Sequence, residues 1–190
     1  MRSLVEATFM SLDGVVDAPK LVEEAQPYWL KDEDHARYSH KLLFAADALL
    51  LGRKTYEVFA EAYPRMKSSD PGVPEDFLDR MNSIPKYVAS RTLESAKWNA
   101  TVIKGNLVEE IVKIKHQPGQ DLLKYGTGIL DRELIEHSLI DLFHIYLFPF
   151  VFGHGIRFFE DIRASRHLKL EEVTTFKSGT VVLVYSCRKK

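Results

Sequence analysis

One apolar run in this chain shows no polar alternation. Residues 48–51 (Ala-Leu-Leu-Leu) are all apolar, which is typical of a strand covered on both faces of a sheet. Gly52 follows, and apolar positions then recur at helical spacing at Tyr56, Phe59, Ala60 and Tyr63. The pattern predicts a buried strand that turns at Gly52 directly into a helix.

The rest of the chain also alternates between strand and helix patterns. Strands are predicted over residues 4–9, 85–92, 101–104, 121–125, 141–147, 168–176 and 181–187, and helices over 32–45, 54–63, 75–81, 107–116 and 129–138. Residues 17–30 have weak periodicity, so we expect a loop over a site there, and a polar surface loop over 64–74. The expected fold class is α/β: one domain over residues 1–190, with helices on both faces of a central sheet, parallel early strands and a C-terminal antiparallel hairpin.

Composition narrows the classes of function. The formal net charge of −1 argues against nucleic-acid binding by bulk electrostatics, and no apolar run reaches membrane-spanning length. Early charged residues leave no room for a signal peptide, and a single cysteine permits no internal disulfide, so we expect a cytoplasmic protein. The seven histidines include no helix-spaced pair with an intervening acid, so we expect no metal.

Two strand-to-helix turns have the chemistry of anion sites. Arg53 and Thr55 lie in the first turn of a predicted helix, where free N–H groups and the helix dipole attract a phosphate; a plain junction with solvated charges explains them equally well. The Gly126–Gly128 turn lets backbone N–H groups approach a pyrophosphate, or is simply a tight turn. Arg91 either reaches a further anion, such as a ribose phosphate, or is a surface cation.

Two carboxylates also have competing explanations. Asp13 is either a turn former before Gly14 or a carboxylate at the carboxyl end of a strand, where ligands of open α/β sheets bind. Asp34 belongs to an acidic first helical turn, which complements the helix dipole. His144 alternates with apolar neighbours, so it faces solvent or a partner subunit, or it is structural.

Six ordered motifs carry a resemblance to a known family. They are SLDG at 11–14, DALLLGRKTYE at 47–57, YVASRTL at 87–93, YGTGIL at 125–130, LID at 139–141 and FPFVFGHGIRFF at 148–159. With them the chain resembles the dihydrofolate reductase-like superfamily, and within it stand-alone relatives of the C-terminal reductase domain of the bifunctional riboflavin-biosynthesis deaminase-reductase. The resemblance implies a three-layer fold with a twisted mixed sheet, NADPH as hydride donor, and a homodimer.

The resemblance also assigns roles to individual residues. Those implied to bind the cofactor are Gly52, Arg53 and Thr55 in a first phosphate turn, Ser90 and Arg91 at the adenosine end, Gly126, Thr127, Gly128 and Leu130 under the pyrophosphate, and Gly14, with Asp13, beside the nicotinamide. An arginine at position 91 favours the 2′-phosphate of NADPH over NADH. The chain departs from the family pattern at Thr127, which separates two otherwise adjacent glycines, at Tyr125, where an acid is usual, and at Leu142, where an Asp-Glu pair is usual.

These observations predict an NADPH-dependent reductase that transfers a hydride to a C=N or C=O bond of a pterin, a ribosylamino-pyrimidine or a related small heterocycle. The proton-donor candidates are Asp34 and Asp13, by position only. The alternatives are an NADP(H)-binding module without catalysis and a regulatory dimer that holds only an anion. For the homodimer, the expected contact is an exposed strand edge over residues 145–150.

Overall fold

The computed structural model describes residues 1–18, 20–67, 75–160, 162–163 and 165–187, and only the backbone of Glu75. The strands are β1 (Leu4–Ser11), β2 (Val15–Asp17), β3 (Ala46–Gly52), β4 (Lys86–Ala89), β5 (Ala100–Ile103), β6 (Asp121–Tyr125), β7 (Leu142–Phe148), β8 (Ile156–Arg157), β9 (Leu168–Thr175) and β10 (Val181–Cys187). The helices are α1 (Leu21–Trp29), α2 (Glu33–Ala45), α3 (Arg53–Ala62), α4 (Glu75–Ser83), α5 (Leu107–His116) and α6 (Ile129–Glu136).

One eight-stranded sheet forms the centre of the molecule, in the order β5-β4-β3-β6-β1-β7-β10-β9. Neighbours from β5 to β7 are parallel, whereas β10 is antiparallel to both β7 and β9. The expected α/β class, with parallel early strands and a C-terminal antiparallel hairpin, is confirmed. The parallel strands all end at one edge of the sheet, which we call the carboxyl edge.

The strand β3 is covered on both faces, as its unbroken apolar run predicts. Leu49 and Leu51 pack in one core cluster, while Ala48 and Leu50 pack in the other, on the opposite face. Burying each leucine stabilises the fold by about 1.5–3 kcal/mol. The position of β3 within the sheet is therefore fixed, and with it the place where the turn at Gly52 begins.

The prediction of a loop over residues 17–30 is wrong, because most of this segment forms helix α1. Leu21 and Ala25 lie one turn apart and are both buried. Pro27 lies in the last turn of the helix, and the N–H of Leu30 still donates to the carbonyl of Gln26 at 2.9 Å. Of the polar loop over 64–74, residues 68–74 lie outside the described residues.

The expected strand edge over residues 145–150 is also wrong, because β10 pairs with β7 and makes it an interior strand. The hydrogen-bonding groups of β7 are therefore used within the chain. His144 on this strand is buried, and its Nδ1 lies 2.8 Å from the hydroxyl of Tyr38. Of the alternatives given for this histidine, the structure therefore supports a structural role. Among the described residues, no helix is both long enough and apolar enough to cross a membrane.

Candidate functional site

The two predicted phosphate turns meet at the carboxyl edge. Strands β3 and β6 are neighbours, so the turns that follow them lie side by side. A Cβ added to Gly126 would lie 2.9 Å from Cγ2 of Thr55, and one added to Gly52 would lie 3.9 Å from Cδ2 of Leu130. The structure thus brings Gly52, Thr55, Gly126 and Leu130 into one place.

The start of helix α3 is open to an anion. Gly52 is the N-cap residue and offers no side chain to the helix, and the first turn contains no acidic residue. The first N–H groups of a helix have no intrahelical partner, and they favour negative charge. This helix terminus therefore fits a phosphate, because neither its N-cap residue nor an acidic residue of its first turn supplies an acceptor for these groups.

Arg53 connects this turn to the segment that follows β4. Its Nε lies 2.6 Å from Oε1 of Glu57, and its NH1 donates to Oγ1 of Thr92 at 2.5 Å. In the same segment the hydroxyl of Ser90 accepts from the N–H of Leu93 at 3.0 Å, while Arg91 is exposed. The arrangement leaves Arg91 available to a ligand beside the Gly52 turn.

The Gly126–Gly128 turn also contacts strand β2. The hydroxyl of Thr127 donates to the carbonyl of Val16 at 3.3 Å, and the Gly126–Thr127 peptide bond is trans. Gly14 and Gly128 have positive φ angles, and a Cβ at either would meet nothing within 4 Å. These two glycines face open space, where a ligand can approach the backbone closely.

Asp13 anchors the loop that follows β7. Its carboxylate accepts from the hydroxyl of Ser11 at 2.7 Å and from the N–H groups of Phe152 at 3.0 Å and Gly153 at 2.9 Å. These hydrogen bonds, with that of Phe152 first, hold the pKa of Asp13 well below its usual range. Asp13 is therefore an anion at neutral pH, at the end of β1, and its role as a proton donor stays a prediction.

Asp34 lies against the turn between β9 and β10. Its carboxylate accepts from Arg37 NH2 at 3.1 Å and from the N–H of Lys177 at 3.1 Å. Because β10 is antiparallel to β7, this turn also lies at the carboxyl edge, but on the far side of β7 from the glycine turns. The structure does not bring Asp34 together with Gly126 or Arg53, and its role as a proton donor also stays a prediction.

The predicted residues form a row along the carboxyl edge. Arg91 follows β4 and Asp13 follows β1. These two strands are three strand spacings apart in the sheet. At 4.7–4.9 Å per spacing the row is about 14 Å long. Beyond Asp13, a cavity of about 560 Å³ is lined by Lys20, Glu24, Phe150, Val151, Phe152 and His154. An extended ligand with several phosphates could lie along such a row.

A buried charged cluster beneath the Gly126–Gly128 turn was not predicted from the sequence. Glu6 on β1, Lys124 on β6 and Asp131 on α6 are each at most 3% exposed. Lys124 Nζ lies 3.0 Å from Oε2 of Glu6 and 2.5 Å from Oδ1 of Asp131. Burial, and then the neighbouring Asp131, raise the pKa of Glu6 to about 8, although Lys124 opposes the shift. The sequence signal was a charged residue beside apolar neighbours in each of two strand patterns, Glu6 in one and Lys124 in the other.

Three buried polar atoms on the other face of the sheet from the charged cluster were also not predicted from the sequence. Trp29 Nε1, His35 Nε2 and the hydroxyl of Tyr125 are buried without a hydrogen-bond partner among the described residues. Burial lowers the pKa of His35 to about 4 and raises that of Tyr125 well above its usual value, so both are neutral at pH 7. The ring of Phe9 lies 5.4 Å from His35 and 6.4 Å from Trp29. Buried polar atoms usually have a hydrogen-bond partner, so these three are exceptions in the core.

A cavity of about 1260 Å³ lies at the other end of the sheet, by the start of β1 and the end of β10, with Ser3, Asp141 and Cys187 in its lining. Although larger, it has none of the predicted site residues in its lining. We therefore assign the candidate site to the carboxyl edge. In the part of the chain that is described, no group of three or more His, Cys, Asp or Glu residues could hold a metal ion.

Comparison with known proteins gives one family for nearly the whole chain. The family described as RibD C-terminal domain matches residues 2–182. The uncharacterized protein YyaP of Bacillus subtilis (strain 168) is 34% identical over 139 residues, which are 73% of this chain and 73% of YyaP.

Solved structures share the fold at low sequence identity. A putative riboflavin biosynthesis protein from Shewanella sp. PV-4 has a TM-score of 0.70 at 18% identity and covers 98% of this chain and 99% of its own. Dihydrofolate reductase from Enterococcus faecalis, solved with NADP(H) and RAB-propyl, has a TM-score of 0.53 at 13% identity. The match covers 98% of this chain and 97% of that reductase. The expected dihydrofolate reductase-like fold is confirmed, and this chain belongs to the RibD C-terminal domain family.

Proposed function

We propose that this protein is an NADPH-dependent reductase that transfers a hydride to a C=N or C=O bond of a pterin, a ribosylamino-pyrimidine or a related heterocycle. The observation that carries the proposal is the meeting of the Gly52–Thr55 and Gly126–Leu130 turns at one edge of the sheet. Membership of the RibD C-terminal domain family supports it, as does the fold shared with a dihydrofolate reductase solved with NADP(H).

The residues at this edge fit a phosphorylated dinucleotide. The uncapped start of α3 would hold one phosphate, and the glycine turn before α6 would hold the next. The exposed Arg91 lies beyond the first turn, where it would pair with a 2′-phosphate. Gly14, which faces open space at the other end of the row, would leave room for the nicotinamide ring.

The chain itself would bind and orient both reactants. When bound, the nicotinamide supplies the hydride, and the protein supplies geometry and the exclusion of water. We place the heterocycle against Phe9 and Trp29, on the face where Trp29 Nε1, His35 Nε2 and the hydroxyl of Tyr125 have no partner among the described residues. Because His35 and Tyr125 are neutral at pH 7, this surface favours an uncharged ring with hydrogen-bonding edges.

The first test is a titration of the purified protein with NADPH and with NADH, followed by nicotinamide fluorescence. We expect NADPH to bind more tightly than NADH, and Arg91→Gln to reduce this preference about tenfold, since an arginine–phosphate contact contributes about 1.5–3 kcal/mol. Arg65→Gln is the control, because Arg65 is exposed and paired with Glu61, away from the row. If the protein binds neither nucleotide, the proposal is wrong.

A second candidate is an NADP(H)-binding module, or a regulatory dimer, without catalysis. The hydrogen bonds that hold Asp13 as an anion favour it, because such a group is a poor proton donor at neutral pH. Oxidation of NADPH on addition of dihydrofolate or a ribosylamino-pyrimidine would distinguish the reductase from this module.

The proton donor can be tested by the pH dependence of turnover. We expect Asp13→Asn to lower turnover by loosening the loop at Phe152, without moving the pH profile between pH 6 and 8, because the carboxylate is ionised throughout this range. A profile that moves would identify Asp13 as the proton relay. For Asp34→Asn a shifted profile supports the relay, and an unchanged one removes Asp34 from the mechanism.

We also propose that the protein works as a homodimer in the cytoplasm. The edge strand β9 exposes Leu170 and Val173, which would suit a contact with a second copy. The free thiol of Cys187 suits a reducing compartment. Light scattering of the purified protein measures the mass of the assembly.

A further inference from the structure

The charged cluster of Glu6, Lys124 and Asp131 lies at the base of the glycine turn. Lys124 and Asp131 come from β6 and α6, the elements on either side of that turn, and Glu6 comes from β1, which pairs with β6. Burying three ionisable groups is costly unless they are paired and hydrogen-bonded. Here the ammonium of Lys124 lies between the carboxylate of Asp131 and the carboxyl group of Glu6, and the hydroxyl of Thr8 donates to Oε1 of Glu6 at 2.6 Å.

This cluster makes a hydrogen bond to the first and to the last residue of the turn. Lys124 Nζ donates to the carbonyl of Gly126 at 2.5 Å, and the N–H of Gly128 donates to Oδ2 of Asp131 at 2.6 Å. The carbonyl of Gly126 and the N–H of Gly128 are therefore held by hydrogen bonds to the buried cluster. The amides of Ile129 and Leu130 belong to the first turn of α6, where no intrahelical acceptor exists, so they remain for a ligand.

We propose, on the basis of the NADPH site proposed above, that Lys124 and Asp131 are positioning residues that hold the Gly126–Gly128 turn in its phosphate-binding shape. Neither residue touches the cofactor. Lys124 draws the carbonyl of Gly126 inward and away from the phosphate, whose negative charge it would repel. Asp131 fixes Gly128, so that the start of α6 meets the cofactor with its free amides.

The same chain contains a matched control at the opposite edge of the sheet. Lys115 is 3% exposed, its Nζ lies 2.5 Å from Oδ2 of Asp141, and it donates to the carbonyl of Leu139 at 2.6 Å. This pair reproduces the chemistry of Lys124 and Asp131, a buried ammonium shared between a carboxylate and a backbone carbonyl. It lies at the amino ends of the strands, so its loss should affect folding but not the glycine turn.

The experiment compares K124M/D131N with K115M/D141N, each as the full chain, by titration with NADPH and with 2′,5′-ADP. The second ligand carries the adenosine phosphates but lacks the part that would lie on the glycine turn. We expect K124M/D131N to weaken NADPH binding at least about tenfold, because Gly126 loses a charged donor, and to change 2′,5′-ADP binding less than about twofold. K115M/D141N should leave both affinities unchanged, even where it lowers the melting temperature.

Failure of this proposal is distinct from failure of the proposed function. If the wild-type protein binds no NADPH, the proposed function itself is wrong. If the wild-type protein binds NADPH and K124M/D131N binds it equally well, or loses both ligands alike, Lys124 and Asp131 serve folding only. Should the double variant not fold, Asp131→Asn alone decides: it keeps Lys124 on Gly126, and we expect about threefold weaker NADPH with unchanged 2′,5′-ADP.

Discussion

Gly126→Ala is expected to weaken NADPH binding about 100-fold and to lower the free energy of unfolding by about 1–3 kcal/mol. The residue has φ +77°, a conformation that side chains rarely adopt, and its added Cβ would lie 2.9 Å from Cγ2 of Thr55. The clash pushes the β6 turn away from the start of α3. Two phosphate contacts of about 1.5 kcal/mol each would then be lost, which corresponds to the expected change in affinity.

Two further variants separate the clash from backbone strain. Gly105 also has a positive φ, +95°, but a Cβ there would meet nothing within 4 Å, so Gly105→Ala should lower stability without changing NADPH affinity. Thr55→Ala removes Oγ1 and Cγ2, the two nearest atoms that the new Cβ would strike, and keeps only Cβ, at 3.0 Å. We expect the double variant G126A/T55A to bind NADPH more tightly than G126A alone, and additive effects of the two substitutions would contradict the contact between the turns.

The two turns could be predicted from sequence because their signals are local. At Gly52 an unbroken apolar run changes to helical spacing, and at Gly126 a strand pattern ends in two glycines around a threonine. That they face each other follows from the pairing of β3 with β6, two strands about 70 residues apart in the sequence. A parallel pair of this separation leaves no mark in either segment alone, so the contact between Thr55 and Gly126 required the structure.

The buried charged cluster could not be predicted for a related reason. Glu6 and Thr8 alternate with apolar residues, which is typical of a strand with one solvated face. Strand β1 is instead central in the sheet, and α6 covers the face on which Glu6 lies. The buried carboxyl group of Glu6 has its partners in Lys124, which comes from β6, and in the hydroxyl of Thr8.

Contacts between distant segments also explain the two wrong predictions. Strand β7 has the pattern of any apolar strand, and its sequence does not show that β10 returns to cover its free side. Helix α1 has only two buried positions, Leu21 and Ala25, in a segment that contains a proline. Its helical pattern is therefore weak, and packing against the sheet stabilises it more than local propensity does.

Glu6→Gln is expected to remove a fall in stability that the wild-type protein shows as the pH rises through neutrality. The pKa of Glu6 is raised in the fold from its ordinary value of 4.5 to about 8, first by burial and then by Asp131. Between these values the folded chain keeps the proton that the unfolded chain releases, so rising pH favours unfolding. The stabilisation is complete below pH 4.5 and is lost as the pH passes 8.

The groups around Glu6 define the pH range in which this effect can be measured. Glu6 faces Lys124 and Asp131, and β7 presents the uncharged Phe143 and Ile145. Elsewhere, burial lowers the pKa of His35 and His144 to about 4, so their contribution to stability rises between pH 4 and 6.5 and is then complete. Burial lowers the pKa of Lys86 to about 8, which acts only at higher pH. The range from pH 6.5 to 8 therefore reports mainly on Glu6.

Within this range, the contribution of Glu6 to the free energy of unfolding should fall by about 1–2 kcal/mol, because the slope approaches about 1.36 kcal/mol per pH unit below pH 8 and halves at pH 8. In Glu6→Gln this fall should be absent, because a glutamine carries no proton to release and can still accept from Thr8. Glu61→Gln is the control, since Glu61 is 70% exposed and its slope should match the wild type. Urea unfolding at four pH values measures all three curves. Parallel curves for wild type and Glu6→Gln would mean that Glu6 is already ionised at pH 6.5, with Lys124 outweighing both burial and Asp131.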